Sequence, residues 1–497
     1  MLNYLKNEAN KTYTENGAVA YSSTQSNCLD LFASIGAMRN ASDKDIISAF
    51  VKAYTENRRL ALKTLFYARD VRGGLGERRV FRTILRWLAD NDELAIVRNI
   101  ENIAEYGRFD DVLSLFGTRA EKVMLGYIRV ALNRDIEAMK RGTEVSLLGK
   151  WLPSVNASSS DTRRKAKIIA KKLGMKDEQY RRLLSELRRR IRIIENNLRE
   201  RDYTFDYSAQ PSKAMLKYHK AFVRNDRERY TQFLSRVENG EAKLNADTLM
   251  PYELVHPYIN GYWSGDCFMR SISEEEKRVL NATWGSLPVY DTDEDVLPVI
   301  DTSGSMYWAV CPSPASVALS LGLYFAEHNK GAFRNHFIEF SGEPQLIEIK
   351  GDTFADRLRY VATFNEIADT NLEAVFSLIL DTAVKNGLKQ DSLPKKLLIV
   401  SDMEFNSCVS GADESVFENA KRRFAEKGYI LPEVIFWNVA CRNLHQPVTK
   451  NELGVCLVSG CTPRLFSAVV DNKLSELTPY KVMLEILGSE RYDAVVA

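Results

Sequence analysis

Residues 296 to 306 read Val-Leu-Pro-Val-Ile-Asp-Thr-Ser-Gly-Ser-Met, an apolar run ending in oxygen-bearing side chains at alternate positions: Asp301, Ser303 and Ser305. A short apolar run before a turn predicts a buried parallel strand, and oxygens at alternate positions of the following loop can converge on one cation. Mg2+ (or Mn2+) suits such a loop. Magnesium takes about six oxygens in near-octahedral geometry and sheds water reluctantly, so hydroxyls and water-bridged carboxylates hold it well. Two further stretches offer the remaining oxygens. Ala368-Asp369-Thr370-Asn371 opens an apolar helical stretch, and Leu397-Leu-Ile-Val-Ser401 is a second buried strand followed by Asp402. Open sheets place ligands at the carboxyl ends of their strands. The competing reading of Asp301 to Ser305 is an N-cap and turn, since Asp and Ser accept backbone N–H groups at helix starts and Gly permits the bend.

In order and spacing the three segments resemble the von Willebrand factor A domain and its metal-ion-dependent adhesion site. The resemblance implies a metal set of Asp301, Ser303, Ser305, Thr370 and Asp402, with one coordination position left for a partner's carboxylate. Asp369 stands where that family commonly carries a small neutral residue. This extra acid either tightens the metal or takes the place of the external ligand.

The elements that must position these residues lie in the second half of the chain. From about residue 290 the texture alternates apolar strand and helix, with strands expected near 297–300, 333–340, 345–349, 397–401, 434–439 and 455–458. Helices are expected near 315–329, 371–386 and 414–427, so a mostly parallel sheet covered on both faces follows. The first half is different. Apolar residues recur at helical spacing (Ile46, Phe50, Val51, Tyr54; Val80, Phe81, Ile84, Leu85, Leu88; Met124, Ile128, Ala131, Leu132), with brief breaks and hardly any strand. Successive amphipathic helices joined by short turns fit stacked helical hairpins, a HEAT-like solenoid. At 497 residues the chain is too long for one core. Two domains are expected, an all-α helical-repeat domain over 1–285 and an α/β doubly wound domain over 286–497, joined through the Gly-, Ser- and acid-rich stretch 258–292.

Composition excludes several function classes. Seven cysteines without a Cys-x-x-Cys pair argue against a disulfide framework and a structural zinc site. Five histidines make no His-x3-His or His-Glu-x-x-His spacing, so zinc hydrolysis lacks its ligands, and no Gly-x4-Gly-Lys-Ser/Thr loop exists for nucleotide hydrolysis. Asp301 is a superficial match for a phosphoryl-accepting aspartate, but the usual second carboxylate is Ser303 and no general-base histidine lies nearby in sequence. The chain is therefore expected to be no enzyme. No apolar stretch reaches membrane-spanning or signal-peptide length, which leads to the expectation of a cytoplasmic protein without a membrane partner.

Net charge is only +2, yet 163–229 holds 21 Lys and Arg against 9 Asp and Glu. Charges interleave with Leu183, Leu184, Leu187 and Ile191 at helical spacing and so occupy the face opposite the packed one. A polyanion is the partner such a face suits, because neutralised phosphates release counterions; the bland reading is a solvated helix face. Arg69-Asp-Val-Arg-Gly-Gly-Leu-Gly-Glu-Arg-Arg79 is a second basic cluster. Its glycines either let a phosphate approach the following helix N-terminus or form the C-cap and turn of a helical hairpin.

Arg69 to Arg79, Glu105-Tyr-Gly-Arg-Phe-Asp-Asp111, Leu147-Leu-Gly-Lys-Trp-Leu-Pro153 and Pro211-Ser-Lys-Ala-Met215 resemble stations of the TROVE module of telomerase-associated, Ro and vault proteins. With an A-type domain following, the layout is similar to Ro proteins over nearly the whole chain. That resemblance implies a ring of helical repeats that binds small noncoding or misfolded RNA on a basic surface. Lys150, Arg181, Arg188, Arg189, Lys213, Arg72 and Arg78 are the candidate phosphate contacts, chosen by charge and motif. The alternative is a protein-interaction adaptor whose metal site recruits an acidic protein ligand or a nuclease, without RNA.

Overall fold

The computed structural model describes residues 1–497 apart from 192, 260–268, 291–293, 308–309, 341, 365–368, 409–412 and 471–472, and apart from the side chains of 2–4, 7, 467 and 468. Arg192, Cys267, Ala368 and the centre of the 258–292 joint therefore lie outside the described residues.

After a short hairpin of β1 (Lys11–Tyr13) and β2 (Val19–Tyr21), the first half is helical. Its helices include Asn27–Ser34, Asp43–Glu56, Arg58–Arg69, Arg79–Asn91, Glu93–Tyr106, Glu121–Arg141, Ser160–Lys172, Asp177–Ile191, Ser212–Asn225 and Arg227–Glu238. Local chemistry sets their ends. Ser42 accepts from the Asp45 amide at one start, and Asn57, between two helices, caps the second through the Leu60 amide. A further helix, Glu274–Gly285, occupies the stretch expected to be only a joint; Ser273 and Glu276 form its capping box.

Many neighbouring helices pack side by side, and the series begins and ends on the second half. Asn27–Ser34 lies against the last strand of the sheet, and Glu274–Gly285 lies against the sheet-half helix Phe354–Val361. The two ends of the series also meet directly. Arg39 donates to the Tyr252 hydroxyl at 3.2 Å, and Arg464 donates both to the Val71 carbonyl and, at 2.8 Å, to the Asp247 carbonyl.

The second half holds a six-stranded sheet of β3 (Val296–Asp301), β4 (His336–Phe340), β5 (Gln345–Glu348), β6 (Lys396–Ser401), β7 (Glu433–Asn438) and β8 (Val455–Ser459). Strand order is β5-β4-β3-β6-β7-β8, parallel throughout except for β5 at the edge. Side chains alternate between two apolar layers. Ile300, Leu398, Val400, Ile435 and Trp437 share one cluster with the helix Pro314–His328. Leu297, Val299, Leu397, Ile399 and Phe436 share the other with Leu372–Asn386 and Val416–Glu426. The order reverses between β3 and β6, and a crevice opens there above the strand ends.

The chain ends cross between halves. Thr14 donates to the Phe405 carbonyl at 2.5 Å and the Tyr21 amide to the Gln446 carbonyl at 2.9 Å, so the hairpin is fastened to the sheet half. Conversely Lys63 donates to the Leu487 carbonyl (3.0 Å), Asn99 to the Val496 carbonyl (2.7 Å), and Arg491 pairs with buried Asp70. Among the described residues no helix is long and apolar enough to cross a membrane.

Candidate metal centre

Asp301 ends β3 and Asp402 follows β6, so both carboxylates stand at the crevice where the strand order reverses. Asp301 is fully buried. Its Oδ2 accepts from the Ser401 hydroxyl at 2.6 Å and its Oδ1 from the Ser303 amide at 2.9 Å. The Ser303 and Ser305 hydroxyls lie 3.2 Å apart. Burial, and then the neighbouring Asp402 charge, push the Asp301 carboxyl above the usual carboxylate range. Burial also raises Asp402, against the pull of Arg442 and of the Ser305 hydroxyl.

Asp402 Oδ1 accepts from the Glu404 amide at 3.2 Å, while its buried Oδ2 has no hydrogen bond. Arg442 Nη2 approaches that oxygen at 3.3 Å, near enough for charge attraction but not aligned as a donor. The same guanidinium pairs with Glu15 at 2.8 Å, and its buried Nε has no partner. Fully buried Glu404 extends the network, accepting from the Glu15 amide (2.8 Å) and Asn443 (2.9 Å), with His445 Nε2 at 3.1 Å.

Thr370 is buried, and its loop is tied to that of Asp402 through Asn406. The Thr370 amide donates to Asn406 Oδ1 at 3.2 Å and the Asn406 amide returns to the Thr370 carbonyl at 2.9 Å. Asp369, the extra acid, is exposed. Asp301, Ser303, Ser305 and Asp402 are thus one cluster, and Thr370 is joined through its backbone to Asn406 in the loop that follows Asp402. Among the described residues no three His, Cys, Asp or Glu side chains converge as a metal group. The oxygens here are instead two carboxylates and several hydroxyls, a hard donor set. A cavity of about 610 Å3 opens over the cluster, walled by Ser305 and Asp402 from the sheet half, by Met38 and Asn40 from the helical half, and by Arg442.

Arg442, Glu404 and Ser401 are the members that sequence reasoning passed over. Ser401 was visible as the residue before Asp402; Arg442 carried the weaker signal of a charge just past an apolar strand.

The basic candidates divide by geometry. Arg181 is exposed; Arg189 is exposed and pairs only within its own helix, with Glu186 at 2.7 Å. Lys213 pairs with Glu253 (2.8 Å), Lys150 lies near Glu195 (3.9 Å), and Arg72 bonds the Glu105 carbonyl (2.8 Å) with its side chain exposed. Arg188 is a strut. It is half-buried and donates to the Gly149 carbonyl, the Ser154 hydroxyl and the Leu152 carbonyl at 2.9, 2.6 and 2.7 Å, which turns its guanidinium onto the 149–154 segment. Among the described residues, four acids from outside the basic segment (Glu121, Glu253, Glu275, Glu276) pair into it, and the excess of 12 cations falls to 8.

The glycine cluster is a helix cap. Amides of Gly74, Leu75, Gly76 and Glu77 all return to carbonyls of residues 67–70, and a Cβ on Gly74 would stand 2.0 Å from the Tyr67 carbonyl oxygen. No amide of these four is left for a phosphate. Arg78 remains exposed and, with Arg82, Arg86 and Trp87, lines an open depression of about 760 Å3.

The chain is therefore a series of helices joined to a mostly parallel α/β sheet with an oxygen-rich cluster at its switch point. It belongs to the family described as a domain of unknown function (DUF2828), whose model matches residues 14–129 and 127–289. A second domain of unknown function (DUF7788) matches residues 295–485. The chain is 27% identical over 520 residues to the uncharacterized protein L728 of Acanthamoeba polyphaga mimivirus, covering 96% of this chain and 87% of that one. Among solved structures, the Ro (RSR) protein of Deinococcus radiodurans aligns over 94% of this chain and all of that one, at 13% identity and a TM-score of 0.34, too low to bear on the argument.

Proposed function

We propose that this protein is a non-catalytic RNA-binding scaffold of Ro type, holding small noncoding or misfolded RNA on its basic helices. The observation that carries the reading is the cationic excess of 163–229, which acids from outside the segment cancel only in part, with Arg181 and Arg189 exposed. The motifs that resemble the TROVE module and the contact between Arg39 and Tyr252 near the two ends of the helical series are in keeping with it. In the sheet half, Asp301, Ser303, Ser305, Thr370 and Asp402 hold Mg2+ or Mn2+, directly or through water. The unbonded Asp402 Oδ2 and the upward push on both buried carboxyls are what a dication would relieve. Bound there, the ion supplies an electrophilic position for a ligand oxygen inside the cavity between the halves.

Filter binding of a structured noncoding RNA across a salt series tests the reading. Affinity is expected to fall linearly in log–log form, with a slope of about −0.7 to −0.9 per phosphate neutralised. Changing Arg181, Arg189 and Lys213 together to Ala is expected to reduce that slope by about 2–3 and to weaken all RNAs alike. No affinity at low salt, or affinity without a salt slope, removes the proposal.

A further inference from the structure

The sheet half holds a cysteine that the metal cluster does not use. Cys311 is exposed, and its Sγ lies 3.2 Å from His256 Nε2. The other imidazole nitrogen, Nδ1, lies 3.4 Å from the Ser316 hydroxyl, whose own proton is donated to the Ser313 carbonyl at 2.8 Å. With that proton engaged, the Ser316 oxygen can only accept, so Nδ1 carries the hydrogen and Nε2 presents its lone pair to the thiol. Partial burial lowers the histidine's proton affinity and keeps it neutral, as a base must be. Nucleophile, base and a group that orients the base are the arrangement of an activated thiol.

The other described cysteines are built differently. Cys28, Cys408, Cys456 and Cys461 are buried, and Cys441 is half-buried with its thiol donating to the Asn443 carbonyl at 2.9 Å. Burial pushes the thiols of all five up. Among the described cysteines, Cys311 is the exposed one, and it faces a base.

We infer that Cys311 is a peroxide-reactive thiol for which His256 is the base and Ser316 the positioning residue. The Sγ proton passes to His256 Nε2 as sulfur attacks one peroxide oxygen. An S–O bond forms and the O–O bond breaks. The departing hydroxide takes the proton back from Nε2 and leaves as water, so hydrogen peroxide is reduced and the thiol becomes a sulfenic acid. His256 follows the Tyr252–Val255 helix of the helical half, whereas Cys311 and Ser316 belong to the sheet half, next to Val310 and Pro314 of the cavity wall. Oxidation therefore alters a hydrogen bond between the halves beside the metal cavity. The inference stands apart from RNA and metal binding.

The test treats the full chain with limiting hydrogen peroxide, traps sulfenic acid with dimedone and locates the adduct by peptide mass spectrometry. The adduct is expected on Cys311, and Cys311→Ser should remove it. His256→Gln is expected to slow trapping at least ~10-fold and Ser316→Ala by a smaller factor. Iodoacetamide on the unaltered protein gives an independent reading: at pH 7 Cys311 should alkylate at least ~10-fold faster than free glutathione. An adduct on another of the seven cysteines overturns the assignment. So does trapping indifferent to His256→Gln, or, should that variant fail to fold, alkylation no faster than glutathione.

Discussion

Asp301→Ala should abolish binding of Mn2+ or Mg2+ by the protein, with a loss beyond about 100-fold measured by calorimetry. Asp301 is the buried carboxylate at the switch point, and neighbouring donors already orient it: Ser401 on one oxygen and the Ser303 amide on the other. Its removal takes away half of the cluster's carboxylate charge, and one carboxylate with hydroxyls holds a well-hydrated dication poorly. Wild-type protein at a metal concentration of about 100 Kd should gain roughly 2.7 kcal/mol of stability, and the variant none. Arg442→Gln should act in the opposite direction. Its guanidinium stands 3.3 Å from Asp402 Oδ2 and competes for the charge the metal needs, so its loss should tighten dication binding by about tenfold, or ~1.4 kcal/mol. Undiminished binding in Asp301→Ala would show that the loop is no metal site; unchanged binding in Arg442→Gln would show that the arginine is no competitor.

Asp111→Ala should destabilise the helical half by about 3–5 kcal/mol, seen as a shift of the urea midpoint at constant m. Asp111 is fully buried. It accepts from Arg69 Nε at 2.8 Å, Arg82 Nε at 2.6 Å and the Arg108 amide at 3.0 Å. Arg69 is itself only 2% exposed, and burial lowers its proton affinity even with Asp111 present. Without the carboxylate a guanidinium is left charged and unpaired in the core, the costly half of a buried ion pair. Arg82 keeps Asp110 at 2.7 Å and limits the damage on that side. A loss below about 1 kcal/mol would mean that water reaches Arg69 readily.

This pair also shows what a sequence can and cannot reveal. Arg69 and Asp111 lie in the two motifs singled out for family resemblance, yet only the fold discloses that one neutralises the other. The sheet was readable because strands buried on both faces are near-continuous apolar runs; β3 and β6 each contain the expected range and extend one residue or so beyond it. β1 and β2 were missed because three residues are too few for alternation to register. The Glu274–Gly285 helix was missed although Ser273 and Glu276 spell its capping box, because Gly, Ser and acidic residues nearby read as a joint. At the metal cluster, Asp301 and Asp402 were visible from strand ends, whereas Arg442 and Glu404 depend on which loops lie beside them. Charge was readable in the basic helices, but direction was not. Arg188 and Arg189 are adjacent in one Arg run, and one holds the backbone of 149–154 while the other meets solvent.

The crossing of the chain ends has a consequence for biosynthesis. Asp70 is buried in the helical half, yet Arg491, its partner, lies 421 residues further on. At roughly 5–20 residues per second a ribosome needs about 20–80 s to bridge that gap. During translation the first helices must wait, with an unpaired acid and an open seam, for a clasp that does not yet exist. A nascent chain of this design is a natural client for chaperones, and neither half cloned by itself should be expected to mature.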